Sequence, residues 1–264
     1  MRRTSFVVAF CLLLTSIVFA QNKHTTRASG VHGAPTTCGS DPVLTGDGTA
    51  SPQDLLFAAT SAYYTLNAKA GHSYSVEVWD VVDQTAAVAP AIQLLASDCM
   101  TAVASTDVTN VDPDLSQGFS RRISWIQAAM DATIQIQVMN PDQNNPYTYQ
   151  IRVTDTTLYN TRWSTFGGYI TSWGFTNTTS TPIKGAVTVV DSNGQTVATS
   201  SPTLAANTAT FLTTVDLNVP ANDAGGSSFA YVGPPGAVIA DGFLVSPGGT
   251  VVTPILYQSK HAYR

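Results

Sequence analysis

From Cys38 onward, turn-forming clusters interrupt the chain about every eight to twelve residues, and the runs between them alternate apolar with polar residues. A strand throws successive side chains to opposite faces, so this two-residue period points to packed sheets. Residues 73–81 show it most clearly, with Tyr74, Val76 and Val78 on one face and Ser75, Glu77 and Trp79 on the other. In residues 133–138, Ile134, Ile136 and Val138 alternate with Thr133, Gln135 and Gln137. Residues 62–68, 91–96, 123–126 and 147–154 read as further strands, with turns at 69–72 and over the Asn- and Pro-rich stretch 140–146. Residues 54–61 leave open a single helical turn.

The second half repeats the pattern. Tyr169, Thr171, Trp173 and Phe175 alternate with Ile170, Ser172 and Gly174. Residues 185–190 and 195–199 are joined by Asp191-Ser192-Asn193-Gly194, a strong hairpin signal. Residues 208–219 read as one long strand or two, and 237–245 with 250–257 complete the set. The expectation is an all-β chain of two tandem antiparallel β-sandwich domains, residues 38–155 and 156–264, meeting near Asp155-Thr156-Thr157. Composition agrees: charged residues make up 11% of the chain and Glu77 is its sole glutamate, whereas helices draw heavily on Glu and Lys.

The first residues set the expected compartment. Arg2 and Arg3 precede a short apolar run, and Val18-Phe19-Ala20 offers small residues for cleavage, so residues 1–20 read as a signal peptide. Residues 21–37 are polar, hold His24 and His32, and read as a flexible leader. The end, His261-Ala262-Tyr263-Arg264, carries neither a wall-sorting motif nor an apolar tail, so a secreted or periplasmic protein without membrane insertion is expected. Beyond the leader, Cys38 and Cys99 form an isolated pair, read as a disulfide in an oxidising compartment. With 12 Lys and Arg against 17 acidic residues, the chain is poorly equipped to neutralise phosphates, which argues against a nucleic-acid partner.

Several stretches of the first half carry a resemblance. These are residues 62–74, Ser120-Arg121-Arg122-Ile123, and the closing runs 133–138 and 146–153. Together they resemble the bacterial pre-peptidase C-terminal (PPC) domain, a secreted β-sandwich often appended to exported hydrolases. The resemblance covers roughly residues 40–155 and implies an accessory or binding module. The second half is similar in layout to immunoglobulin-like modules of bacterial surface proteins.

Catalytic chemistry is sparse. There is no G-x-S-x-G elbow and no H-E-x-x-H, and His72 sits in a turn where a solvated polar residue is the ordinary reading. An Asp-dependent hydrolase stays open as a rival, because the spacing of two carboxylates is spatial. Asp107, Asn110, Asp112 and Asp114 supply the hard oxygens that calcium takes, but such Asx-rich stretches also arise for backbone reasons alone. Some PPC-like domains bind calcium, so the resemblance adds to that candidate. Beyond calcium, no cofactor is expected. Trp79 and Trp125 are candidate sugar-stacking residues, Trp79 the more exposed because it shares a face with Ser75 and Glu77; Trp173, between Tyr169 and Phe175, reads as core. The function these features support is a secreted, non-catalytic binding module for polysaccharide or a cell-surface partner. A purely structural envelope component is the further alternative.

Overall fold

A computed structural model of the chain describes residues 32–39, 42–80, 90–104, 106–109, 120–128 and 130–259. In the first half the strands are β1 (His32–Gly33), β2 (Asp47–Ala50), β3 (Asp54–Leu56), β4 (Ser61–Ala68) and β5 (Ser73–Asp80). They continue as β6 (Ala91–Ala96), β7 (Thr106–Thr109), β8 (Ser120–Ile126), β9 (Ala132–Met139) and β10 (Tyr147–Asp155). The second half holds β11 (Leu158–Ser164), β12 (Ile170–Asn177), β13 (Ile183–Asp191), β14 (Thr196–Ser200) and β15 (Thr203–Leu204). It ends with β16 (Ala209–Thr213), β17 (Ala224–Tyr231), β18 (Val238–Val245), β19 (Val251–Leu256) and β20 (Gln258–Ser259). Among the described residues a single 3-10 turn, Phe166–Gly168, follows β11. The protein is all-β, and apart from the short β1–β3 pair its ladders are antiparallel.

Two apolar cores organise these strands. In the first half a seven-stranded sheet, ordered β1-β3-β10-β5-β8-β7 with β2 also on β10, faces the three-stranded sheet β4-β9-β6. Alternation feeds the space between them: Tyr74, Val76 and Val78 from β5, Tyr147, Tyr149, Ile151 and Val153 from β10, and Tyr64 and Leu66 from β4. In the second half a six-stranded sheet, β14-β13-β17-β11-β20 with β15 on β13, faces the four-stranded sheet β16-β12-β18-β19. Its core holds Trp163, Trp173, Phe175, Phe229 and Tyr231, with Phe175 and Phe229 stacked at 4.2 Å. Large side chains of this kind each contribute about 1.5–3 kcal/mol when fully buried. Gly185 makes the stack possible, because a Cβ there would lie 2.3 Å from the Phe229 ring.

Several elements differ from their sequence reading. Residues 54–61 form no helical turn; Asp54–Leu56 pairs with β10 instead. The leader is not wholly loose, since β1 pairs with β3 and the Tyr63 amide donates to the Pro35 carbonyl. Strand β8 starts three residues before the expected 123, because Arg121 and Arg122 are held at its polar end: the Arg121 guanidinium donates to the Pro90 carbonyl. Residues 208–219 give one short strand, after which Asp216 caps the Thr213 amide and the chain turns at Asn218, whose φ is 51°. Two strands carry little sequence signal, β11 and β17; β17 opens Ala224-Gly225-Gly226 yet lies at the centre of its sheet, between β13 and β11.

Candidate functional site

The expected aromatic site does not face solvent. Trp79 lies on the outer face of the seven-stranded sheet and is only 7% exposed, with the Arg152 guanidinium 5.6 Å above its ring. Arg152 is fixed there by Glu77, its cross-strand neighbour, at 2.6 Å through Nε. The polar face of β5 is therefore covered: Ser75 and Glu77 are as buried as Trp79, and neighbouring Ser124 donates from Oγ to the Gly233 carbonyl of the second half. Trp125, 2% exposed, belongs to the first core and packs against Tyr74. Sequence alternation put Trp79 on the face of Ser75 and Glu77, opposite Tyr74, Val76 and Val78, but had no means of showing that this outer face is covered.

Of the candidate calcium ligands, Asp107 lies on edge strand β7 opposite Ile123, while Asn110, Asp112 and Asp114 lie outside the described residues. Among the described residues no group of three or more His, Cys, Asp or Glu could hold a metal ion. Cys38 and Cys99 are disulfide-bonded, with Cα atoms 6.3 Å apart. Within the described residues, no helix is long and apolar enough to cross a membrane. The buried aspartates are spoken for individually. Asp54 accepts from the Tyr64 hydroxyl, Asp142 from the amides of Asn144 and Asn145, and Asp155 from His72.

His72 is not a solvated turn residue. Its Nδ1 donates to Asp155 at 2.8 Å, since a carboxylate can only accept, and the Tyr159 hydroxyl lies 2.9 Å from Nε2. Asp155 also accepts the Thr157 amide, and the Thr157 hydroxyl takes the Ser73 amide. Burial pushes the Asp155 carboxyl upward, yet the hydrogen bonds from His72 and Thr157 outweigh it and hold the group below the usual carboxylate range. An Asp-oriented imidazole has the geometry of a base. Here the nitrogen that would meet a substrate is taken by Tyr159. The cluster clamps the β4–β5 turn to residues 155–159, the joint between β10 of one sheet and β11 of another.

Exposed chemistry lies on the second half. The outer face of β16-β12-β18-β19 leaves Phe211 63%, Ile239 61%, Phe243 37% and Leu256 69% exposed. Register sets them out in rows: Phe211, Gly174, Asp241 and Leu256 lie abreast, and beside them Thr213, Ser172, Phe243 and Pro254. The Phe211 ring lies across Gly174, where a Cβ would meet its Cε1 at 3.0 Å and Asp241 Oδ1 at 2.5 Å. A phenyl ring and a carboxylate thus close over the Gly174 backbone from two sides. The alternation at 169–175 was legible; that the opposite face would stay open was not, since nothing in a strand pattern says which apolar residues a neighbouring layer fails to cover.

A second exposed feature sits at the far end of the six-stranded sheet. A cleft of about 410 Å³ is lined by Arg162, Trp163, Ser164, Phe166, Ser192 and Gly225. Neither Arg162 nor Phe166 stood out in the sequence, because Arg162 lies in, and Phe166 just beyond, a strand whose alternation is broken by a bulge between Asn160 and Trp163.

A scan against protein-family models finds no match for this chain, and a search of curated proteins finds none.

Proposed function

We propose that the chain is an exported, non-catalytic binding module that engages polysaccharide on the outer face of the β16-β12-β18-β19 sheet. The observation that carries this reading is the exposure of Phe211 and Phe243 beside Asp241, Ser172 and Thr213. Flat apolar rings suit the C–H faces of sugars, and the carboxylate and hydroxyls suit their hydroxyl groups. Phe211 and Phe243 stand two strands and two residues apart, a diagonal of about 12 Å by strand spacing and rise, enough to span a short oligosaccharide. Large exposed apolar surface on a protein whose cores are already closed marks an interaction site. The disulfide Cys38–Cys99 fits an oxidising compartment, in keeping with export by residues 1–20. The PPC-like pattern of the first half supports an accessory role, with that half acting as a rigid support.

A second reading, a cell-surface protein partner, is favoured by the aliphatic Ile239 and Leu256 on the same face. Affinity electrophoresis in gels containing soluble polysaccharides separates the two. Retardation that is lost in Phe211→Ala/Phe243→Ala supports the polysaccharide; unaltered mobility in every gel sinks it and leaves the protein partner. Running the gels with calcium and with a chelator tests the 107–114 segment in the same experiment.

A further inference from the structure

We propose that the cleft between Arg162, Phe166 and Ser192 is a separate subsite for a carboxylated sugar unit, the guanidinium taking the carboxylate and the phenyl ring the sugar face. The inference rests on the polysaccharide reading and adds the class of sugar and a second place of contact.

The cleft is built by the bulge in β11. Asn160 pairs with Ser227 and Trp163 with Gly225, so two residues of β11 are set against one of β17. The Asn160 side chain stabilises the bulge by accepting the Arg162 amide at 2.7 Å. A bulge of this kind re-aims side chains. Trp163 turns into the core, with its indole N–H on the carbonyls of Val190 and Gly226, while Arg162 stays at the surface and lines the cleft. No ion pair to Arg162 forms among the described residues.

Nearby acidic groups are turned to other work. Asp191 accepts the amides of Asn193 and Gln195 within its hairpin turn, and Asp223 accepts the amide of Ala224. Among the described residues that leaves Arg162 as a cation without a carboxylate of its own, in a cleft that Ser164 and Ser192 also line. Ser164 Oγ accepts the Phe166 amide, so its own proton is free for a ligand oxygen. A guanidinium opposite a carboxylate is the geometry of a two-pronged, charge-assisted pair.

Phe166 is 54% exposed on a turn that cannot easily move, because Thr165 Oγ1 donates to the carbonyls of Pro220 and Asp223 and accepts the Asp223 amide. Holding the ring in place lowers the ordering cost of binding. Gly225 also lines the cleft, and a Cβ there would lie 2.0 Å from the Val190 carbonyl oxygen, so the position takes no side chain. Gly225 is paired with Asp191 on one side and Trp163 on the other. At Gly225 itself, therefore, the backbone offers a peptide no strand edge to extend. The volume, about 410 Å³, accommodates a small-ligand unit.

Titration calorimetry of the full chain against uronic-acid oligosaccharides (oligogalacturonate, oligomannuronate and a hyaluronan fragment), with methyl-esterified oligogalacturonate as the uncharged counterpart, tests the subsite. At least one acid oligosaccharide binds more tightly than the ester, and Arg162→Ala weakens it at least about tenfold. Arg162→Lys recovers part of the loss, and Phe166→Ala weakens acid and ester alike, with melting temperatures unchanged throughout. Equal binding of acid and ester, or an Arg162→Ala protein that binds the acid like the parent, overturns the subsite. So does a failure of all three acids to bind. If a neutral polymer still binds through Phe211 in that case, the polysaccharide reading stands without it; if nothing binds, both fall.

Discussion

The two halves share an architecture and use it in opposite ways. In the first, both faces of strand β5 are covered: Tyr74, Val76 and Val78 fill the core, while Ser75, Glu77 and Trp79 are sealed beneath Arg152 and against the second half near Gly233. In the second half, strand β12 buries Trp173 and Phe175 but leaves its other face open, lined by Phe211, Phe243 and Leu256 from neighbouring strands. A sheet closed on both sides gives rigidity and no access. A sheet closed on one side gives a platform. Aromatic residues on an outer strand face therefore mean different things in the two halves, and only the layer above them decides which.

The largest expected effect is on the closed half. Cys38→Ser/Cys99→Ser opens a loop of 61 residues and costs about 4 kcal/mol in the chain-entropy account. Denaturant melts followed by fluorescence are expected to show the loss; a change below about 1 kcal/mol would mean that the first half does not depend on its crosslink. Next comes Trp79→Ala, which removes a sealed indole and leaves the Glu77–Arg152 pair over a void, at about 3 kcal/mol. That variant keeps whatever ligand the protein binds. If ligand binding disappears while stability is retained, the closed face is misread.

The joint between the halves comes third. Asp155→Asn is expected to cost about 1–2 kcal/mol at neutral pH, by weakening the hydrogen bond from His72. Because the Asp155 carboxyl is held below its ordinary value of 3.8, its contribution is complete above that pH and is lost as pH falls through the lower folded value. Melting curves between about pH 5 and pH 2 should therefore converge for the parent and Asp155→Asn. Curves that stay parallel would show that the clamp is not set by this carboxylate. The smallest effect on stability belongs to Phe211→Ser, within about 0.5 kcal/mol, since its ring is already in water.

How much of this the sequence carried follows from what periodicity can report. Strands β4, β5, β9, β10 and β12 were legible because apolar and polar residues alternate without interruption. Strand β17 was hidden by Gly225 and Gly226, which weaken strand propensity, though Gly225 is needed where Val190 and Asp191 approach. Strand β11 was hidden by its bulge, and with it Arg162. His72 read as a surface residue because its partners, Asp155 and Tyr159, are 83 and 87 positions away. The disulfide needed only the count of cysteines and a compartment.

The most direct test of the central contrast is a sedimentation isotherm on insoluble polysaccharide, with parent, Trp79→Ala and Phe211→Ala/Phe243→Ala proteins side by side. The account predicts saturable binding by the parent and by Trp79→Ala, and loss of binding in the double variant at an unchanged melting temperature. Binding that survives in the double variant, or that vanishes with Trp79 while the fold persists, would contradict it.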